Sequence, residues 1–247
     1  RATGEAITTS TMTRTSLGFL PCLLLLSACA SQGTMPARPA SGPVTAGQLM
    51  KTDIDRVAEA HHREIFENLK VLTEKLYRRN PREFQKSGRT TVDAGVARIF
   101  YTPHRWRFTE LNGARSVDAI HLAFRDDFAG DRVLAFIGGL GGMVQRAFND
   151  KVEFFVLDDL DPQQLYNAAR NVEIAVWKLS HARDAAGRLY LLSNEASGPV
   201  PNLSFEREFG KVIASLDVLS KIAADKQNRT VAKAIQTLAT AVFLPIR

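Results

Sequence analysis

The sequence predicts a mostly α-helical fold, a single multi-helix domain of about seven helical segments with at most a minor two-stranded β element, over residues 44–247. Three observations carry this. Apolar residues recur at three-, four- and seven-residue steps through most of that region. Cap residues, prolines and glycines punctuate the recurrences at helix-like intervals. Only two short runs, Lys151 to Leu157 and Arg188 to Leu192, read as strands, and no period indicates repeats.

The first helix is expected from about Thr45 to Arg79, with Ile54, Ala58, Ile65, Leu69, Leu72 and Leu76 on one face. Asn80-Pro81 stops it, because a proline disfavours helical backbone in its predecessor. A second runs from about Thr91 to Tyr101, with Val92, Val96, Ile99 and Phe100 on one side. Ser116 is the expected cap of a third, whose stripe is Val117, Ile120, His121, Phe124 and Phe128. Gly130-Asp131 opens the most apolar stretch, Val133 to Val144.

Asp161, Pro162 and Gln164 have the order of a cap, a first-turn proline and a capping-box partner, so a helix is expected to about Arg183. The two strand-like runs flank it. Ser193 to Asn202 reads as a loop, Ser204 as the cap of a helix to about Lys226, and Asn228 or Thr230 as the start of a last helix ending near Pro245. That helix would turn Ile235, Leu238, Val242 and Phe243 inward.

Ahead of the domain, the apolar run Leu17 to Leu26 follows Met12 and Arg14 and leads into Leu26-Ser27-Ala28-Cys29. A basic start, a short apolar stretch and small residues before a cysteine are the grammar of a cleaved signal. The run is too short to cross a bilayer as a helix, which needs roughly 20 residues, and Pro21 interrupts it. Residues 1–11 read as a non-native upstream extension, with 12–28 as the signal peptide.

The Leu-Ser-Ala-Cys segment resembles the lipobox of bacterial lipoproteins, over about residues 12–32. The resemblance implies that Cys29 is the lipidation site, carrying a diacylglyceryl group on sulfur and a further acyl chain on its amino group. More than one chain gives stable anchoring at about 0.8 kcal/mol per buried methylene. Ala30 and Ser31 lack the aspartate that marks inner-membrane retention in Gram-negative lipoproteins, so the resemblance implies the periplasmic leaflet of the outer membrane. Residues 31–43, small, polar and punctuated by Pro36, Pro39 and Pro43, read as a flexible tether.

Cys22 and Cys29 are the only cysteines. With one removed and the other lipidated, thiol catalysis and cysteine-zinc sites are excluded, and a domain of this size needs no disulfide staples. The net charge is +6, and from Cys29 onward there are 30 basic and 25 acidic residues. Tyr77-Arg78-Arg79 with Arg82, and His104-Arg105-Trp106-Arg107, are clusters able to face anionic headgroups. No basic run is dense enough to suggest nucleic acid.

From about Asp131 onward, Gly139-Leu140-Gly141-Gly142-Met143, Leu157 to Pro162, Asn167 to Trp177 and Leu192 to Glu195 resemble a group of proteobacterial helical lipoproteins without an assigned activity. This resemblance implies a lipoprotein and a helical body, and no chemistry.

Two segments are candidate contact sites. Phe136, Gly138, Gly139, Gly141, Gly142 and Met143 lie in a stretch apolar on all sides, whose four glycines cost roughly 4 kcal/mol of helix propensity against alanine. Either a neighbour packs closely on a flat glycine face, or the segment meets a ligand or dips into a lipid surface, which requires it to be exposed. It lacks the lysine-serine end of a phosphate-binding loop. Asn167, Arg170, Asn171 and Glu173 form the second candidate, a polar cleft or, in plainer terms, a wet helix face with an Arg170–Glu173 ion pair.

A search for catalytic groups yields little. Glu59 with His62 and Asp118 with His121 have the spacing of di-metal helical bundles, with Glu173 and Glu206 as the further carboxylates. At ~100° per residue, however, His62 lies about 50° and Glu59 about 110° from the apolar centre of their helix, so both cannot point into a core. No metal or cofactor is expected, and His121 is the expected hydrogen-bonded core histidine. No serine sits in a nucleophile elbow. The sequence therefore points to an anchored envelope protein that works by binding, with an envelope protein as partner and the membrane reached through its lipid. A small-ligand or enzymatic cleft near Asn167 to Glu173, and lipid-surface contact through residues 133–144, are the alternatives.

Overall fold

Thr52 starts the first helix, α1 (Asp53–Arg79), through a reciprocal capping box. Its hydroxyl accepts from Asp55 N at 3.2 Å, and the Asp55 carboxylate accepts from Thr52 N at 2.7 Å. The cap is why the helix begins at Asp53 and not near Thr45. The computed structural model describes residues 51–155, 158–195, 200–234 and 237–247. All of them belong to the second of the two units into which the chain divides, Arg1–Pro43 and Val44–Arg247. Cys22, Cys29, the tether and residues 45–50 of the expected first helix lie outside the described residues.

Ala58, Ile65, Leu69, Leu72 and Leu76 of α1 are buried as their spacing predicts, whereas Ile54 in the first turn is 36% exposed. Asn80 both ends α1 and precedes α2 (Pro81–Lys86), which the sequence reading missed. Proline lacks an N–H and has a helical φ, so Pro81 that stops one helix sits at the first position of the next. Then come α3 (Val92–Phe100), capped by Thr91, and α4 (Val117–Leu122). The last ends before Phe124 and Phe128, which reach the core edge from the following loop. Ser116 precedes α4 but its hydroxyl caps nothing, and its backbone has φ +55° and ψ −130°. The expected cap is thus a strained turn.

The central element is α5 (Arg132–Ala147), capped by Asp131 and buried at every position from Val133 to Gln145. Asp131 also accepts hydrogen bonds from the Tyr77 and Ser87 hydroxyls, each at 2.9 Å, tying α1 and the end of α2 to the start of α5. Helices α1 to α4 and α6 (Pro162–His181) all pack on α5, while α6 also pairs with α7 (Ser204–Gln227), which lies along α1. The Ser220 hydroxyl and Gln227 amide donate to Pro162 O and Leu160 O, both at 2.7 Å, so the end of α7 meets the start of α6 and the two run antiparallel.

The described part of the Lys151 to Leu157 run is not a strand. Its donors go to side chains, Phe154 N to Glu59 and Phe155 N to Asp158, so no ladder forms. Leu189 instead bridges back to Arg183 across a local turn, and Glu195 to Asn202. At α6 the Asp161 carboxylate accepts from Gln163 N and Pro162 fills the first turn, but the helix ends at His181. Ser204 begins α7, with its own N–H and hydroxyl turned back to Asn202.

The last expected helix is absent from the described residues between 228 and 247. Asn228 closes α7 at φ +51°, in the left-handed conformation that ends helices. Beyond it the described residues have no regular secondary structure apart from a turn at Leu238 to Thr240, with Leu238 and Val242 exposed and Phe243 packed on the core edge. Seven helices are described, as many as the sequence suggested; α2 stands in for the lost last one.

Candidate functional site: an arginine-lined cleft over the glycine helix

Helix α5 presents its glycines to the loops that follow α3. An added Cβ on Gly138 would stand 2.8 Å from the Phe108 ring, on Gly139 2.7 Å from Ile120 N and 2.8 Å from Ser116 O, and on Gly141 2.1 Å from the Trp106 indole. On Gly142 it would meet Trp106 Cβ and Arg115 Cγ at 3.2 Å. Only hydrogen fits beneath these groups. The 104–116 loop can therefore lie flat on α5, which offsets the poor helix propensity of the four glycines.

The expectation of a closely approached glycine face is met, and that of a contact segment is corrected: Phe136, Gly138, Gly139, Gly141, Gly142 and Met143 are all buried in the core. Contact with a lipid surface requires exposure that this segment lacks.

His104 fixes the loop over the glycines. Its Nε2 donates to Ile99 O at 2.7 Å and its Nδ1 accepts from Trp106 N at 2.8 Å, which defines a neutral tautomer. Burial holds its pKa below the ordinary value, although the bond to Ile99 O opposes this. Trp106 is thereby held at φ +58° beside Arg105 at φ +49°, with its indole against Phe66 at 5.2 Å and Phe100 at 6.0 Å. Asn149 and Asp150, just after α5, also have positive φ, at 57° and 58°. Strained non-glycine backbone of this kind collects at functional sites.

Between these segments lie two adjoining cavities. One of about 540 Å³ is lined by Arg105, Trp106, Arg107, Arg115, Asp150 and Val152, with Gln145 at its base. The other, of about 430 Å³, shares Arg107 and Arg115 and adds Arg146, Ser116, Phe243 and Ile246. Both are in the size range of small-molecule sites. By contrast, the void between α1 and α7 is about 20 Å³, room for one water.

Arg115 is held by Asp150, and its Nε is buried without a hydrogen-bond partner. Among the described residues the guanidinium groups of Arg105, Arg107 and Arg146 have no carboxylate partner, and no histidine lines either cavity. Such an array binds anions through charge-assisted hydrogen bonds.

Beneath the first cavity, His62 donates from Nε2 to Gln145 Oε1 at 3.0 Å while Gln145 Nε2 donates to Lys151 O at 2.8 Å. Burial pushes the His62 pKa down, and the Gln145 bond only partly restores it. The hydrogen-bonded core histidine is therefore His62; His121 is exposed, with its ring edge-on to Phe243 at 5.2 Å. Glu59 turns away from His62 to Lys51 Nζ at 2.5 Å and Phe154 N at 3.0 Å. Among the described residues no group of three or more histidine, cysteine or carboxylate side chains could hold a metal ion.

The Asn167 to Glu173 group is bonded in large part to the chain itself. Asn171 is fully buried and pairs reciprocally with Leu244, Nδ2 to O at 2.8 Å and N to Oδ1 at 2.6 Å. Asn167 donates to Pro245 O at 2.9 Å, and Gln163 pairs in the same reciprocal way with Ala232. Arg170 bridges Glu173 at 2.7 Å and Asp217 of α7 at 2.6 Å. These side chains strap the backbone at Ala232, Leu244 and Pro245 to α6, and beside Asn167 an open cavity of about 430 Å³ remains, lined also by Gln163, Gln164, Asp161, Arg229 and Arg247.

His104-Arg105-Trp106-Arg107 was visible in the sequence as a basic aromatic cluster. Arg115, Arg146 and Ser116 carried no local signal, since nothing in their neighbours marks them as meeting Arg107. Compared with protein-family models, curated proteins and solved structures, the chain matches none.

Proposed function

We propose that this chain is a lipoprotein tethered through Cys29 at the periplasmic leaflet of the outer membrane, and that its helical body serves as an accessory protein binding an anionic envelope component in the arginine cleft. One observation carries the binding part of this reading: Arg105 and Arg107 line a cavity of about 540 Å³ and have no ion-pair partner among the described residues. Long-range attraction from unpaired guanidinium groups raises the encounter rate with anions, and a cleft concentrates that field. The tether reading rests on the lipobox-like segment ending at Cys29.

Capture of the native protein from crosslinked envelopes tests both parts, beside Cys29→Ala and Arg105→Gln/Arg107→Gln variants. The expected result is a retained envelope component that is lost in the double arginine variant, and loss of membrane association in Cys29→Ala. Equal retention by the double variant would remove the cleft from the reading; membrane association of Cys29→Ala would remove the anchor.

A further inference from the structure

We infer that the second cavity, lined by Arg107, Arg115 and Arg146 together with Phe243 and Ile246, is a binding site for a phosphate ester that carries an apolar substituent. This rests on the anion-binding reading and specifies its ligand.

Three arginines line it against one carboxylate, Asp118, with Arg115 also paired to Asp150. Arginine presents paired N–H groups in a fixed plane, which matches the oxygens of a phosphate better than a single carboxylate oxygen. The Ser116 hydroxyl lines the same cavity, has no hydrogen-bond partner among the described residues, and sits on backbone at φ +55°. It supplies a further donor. The strap lines it too: Phe243 and Ile246 pack partly against the core, while Asn171 and Asn167 hold the intervening Leu244 and Pro245 by their backbone. A cavity lined by both cations and apolar side chains is matched by a ligand with phosphate at one end and hydrocarbon at the other.

The same chemistry belongs to a lipid headgroup with its first methylenes or to a small soluble ester, and the probes separate these. Calorimetric titration of the purified protein uses inorganic phosphate, glycerol 3-phosphate, dihexanoyl phosphatidic acid below its micellar concentration, and dihexanoyl phosphatidylcholine. Dihexanoyl phosphatidic acid is expected to bind at least about tenfold more tightly than either acyl-free phosphate, since burying two or more methylenes suffices for that ratio. The choline lipid, with no net charge, is expected not to bind measurably.

Arg146→Gln, an exposed position without an ion-pair partner among the described residues, is expected to weaken every phosphate probe about fivefold or more. Phe243→Ala is expected to lower only the acylated probe to the level of glycerol 3-phosphate. Equal affinity for glycerol 3-phosphate and the phosphatidic acid overturns the apolar wall, and indifference to Arg146→Gln overturns the phosphate site. If capture through Arg105 and Arg107 persists while no phosphate probe binds, the ligand assignment fails and the broader reading stands. Capture by the native protein that does not depend on Arg105 and Arg107 removes the broader reading itself.

Discussion

Gly141 lies directly beneath Trp106, where a Cβ would stand 2.1 Å from Cζ3 of the indole. This contact connects the most apolar stretch of the sequence to its most basic loop. Because the indole rests on bare helix backbone, Arg105 and Arg107 on either side of it line the cleft.

Gly141→Ala should therefore destabilise the protein by about 1–3 kcal/mol through overpacking and shift the Trp106 fluorescence. Gly210, exposed in α7 with nothing within 4 Å of an added Cβ, is the control. There alanine should stabilise by roughly 0.5–1 kcal/mol, because it lowers the entropy of the unfolded chain. Urea melts of both variants give the comparison, and equal effects would contradict the close-approach account.

Glu110 secures the same loop to α3. Burial works against its charge, but bonds from Arg98 at 2.9 and 2.7 Å and from Arg89 at 2.9 Å outweigh it and hold the pKa at about 2, below the ordinary 4.5. A carboxylate depressed in the folded state stabilises above its unfolded pKa and loses that contribution as pH falls from 4.5 towards 2. Glu110→Gln should cost about 1–3 kcal/mol at neutral pH, with the gap to wild type closing across that window. A gap that stays constant down to the lower limit would show that the ion pairs are not its source.

His62 has the opposite titration. Its folded pKa lies below the ordinary 6.5, so the unfolded chain takes up a proton first and stability falls as pH drops through and below 6.5. His62→Gln should flatten the fall of Tm between neutrality and about pH 5, leaving a residue from His104, whose pKa is lowered in the same sense. A Tm profile unchanged by the substitution would assign the acid sensitivity elsewhere.

Asn171 reads the backbone of Leu244 through both of its amide atoms. Asn171→Leu removes both bonds and should cost about 1–3 kcal/mol. Hydrogen exchange at the Leu244 amide should accelerate about tenfold or more as the strap opens locally. Protection retained at Leu244 would mean that Phe243 and Ile246 alone hold the strap.

How far the sequence could be read depended on the range of the interaction involved. The apolar face of α1, the Asp161 cap and the closely packed glycines of α5 were legible because each is written within a few neighbouring residues. Ser116 misled for the same reason: it stands at the right position for a cap, but contact with Gly139 of another helix sets its backbone. The helix expected after Asn228 failed because apolar spacing alone cannot show that Asn171 and Gln163 would bind the backbone of Leu244 and Ala232.

By itself the sequence determined the helical class, the approximate bounds of most helices, the lipobox-like segment and the basic aromatic loop, all properties of local propensity and spacing. The tertiary structure decided which polar groups are free. It bonded Asn167 and Asn171 to backbone 78 and 73 residues away and brought Arg107 to Arg115, Arg146 and Phe243 around one cavity. Whether a buried or charged side chain is satisfied depends on what folds against it, and the chain near that residue does not carry this information.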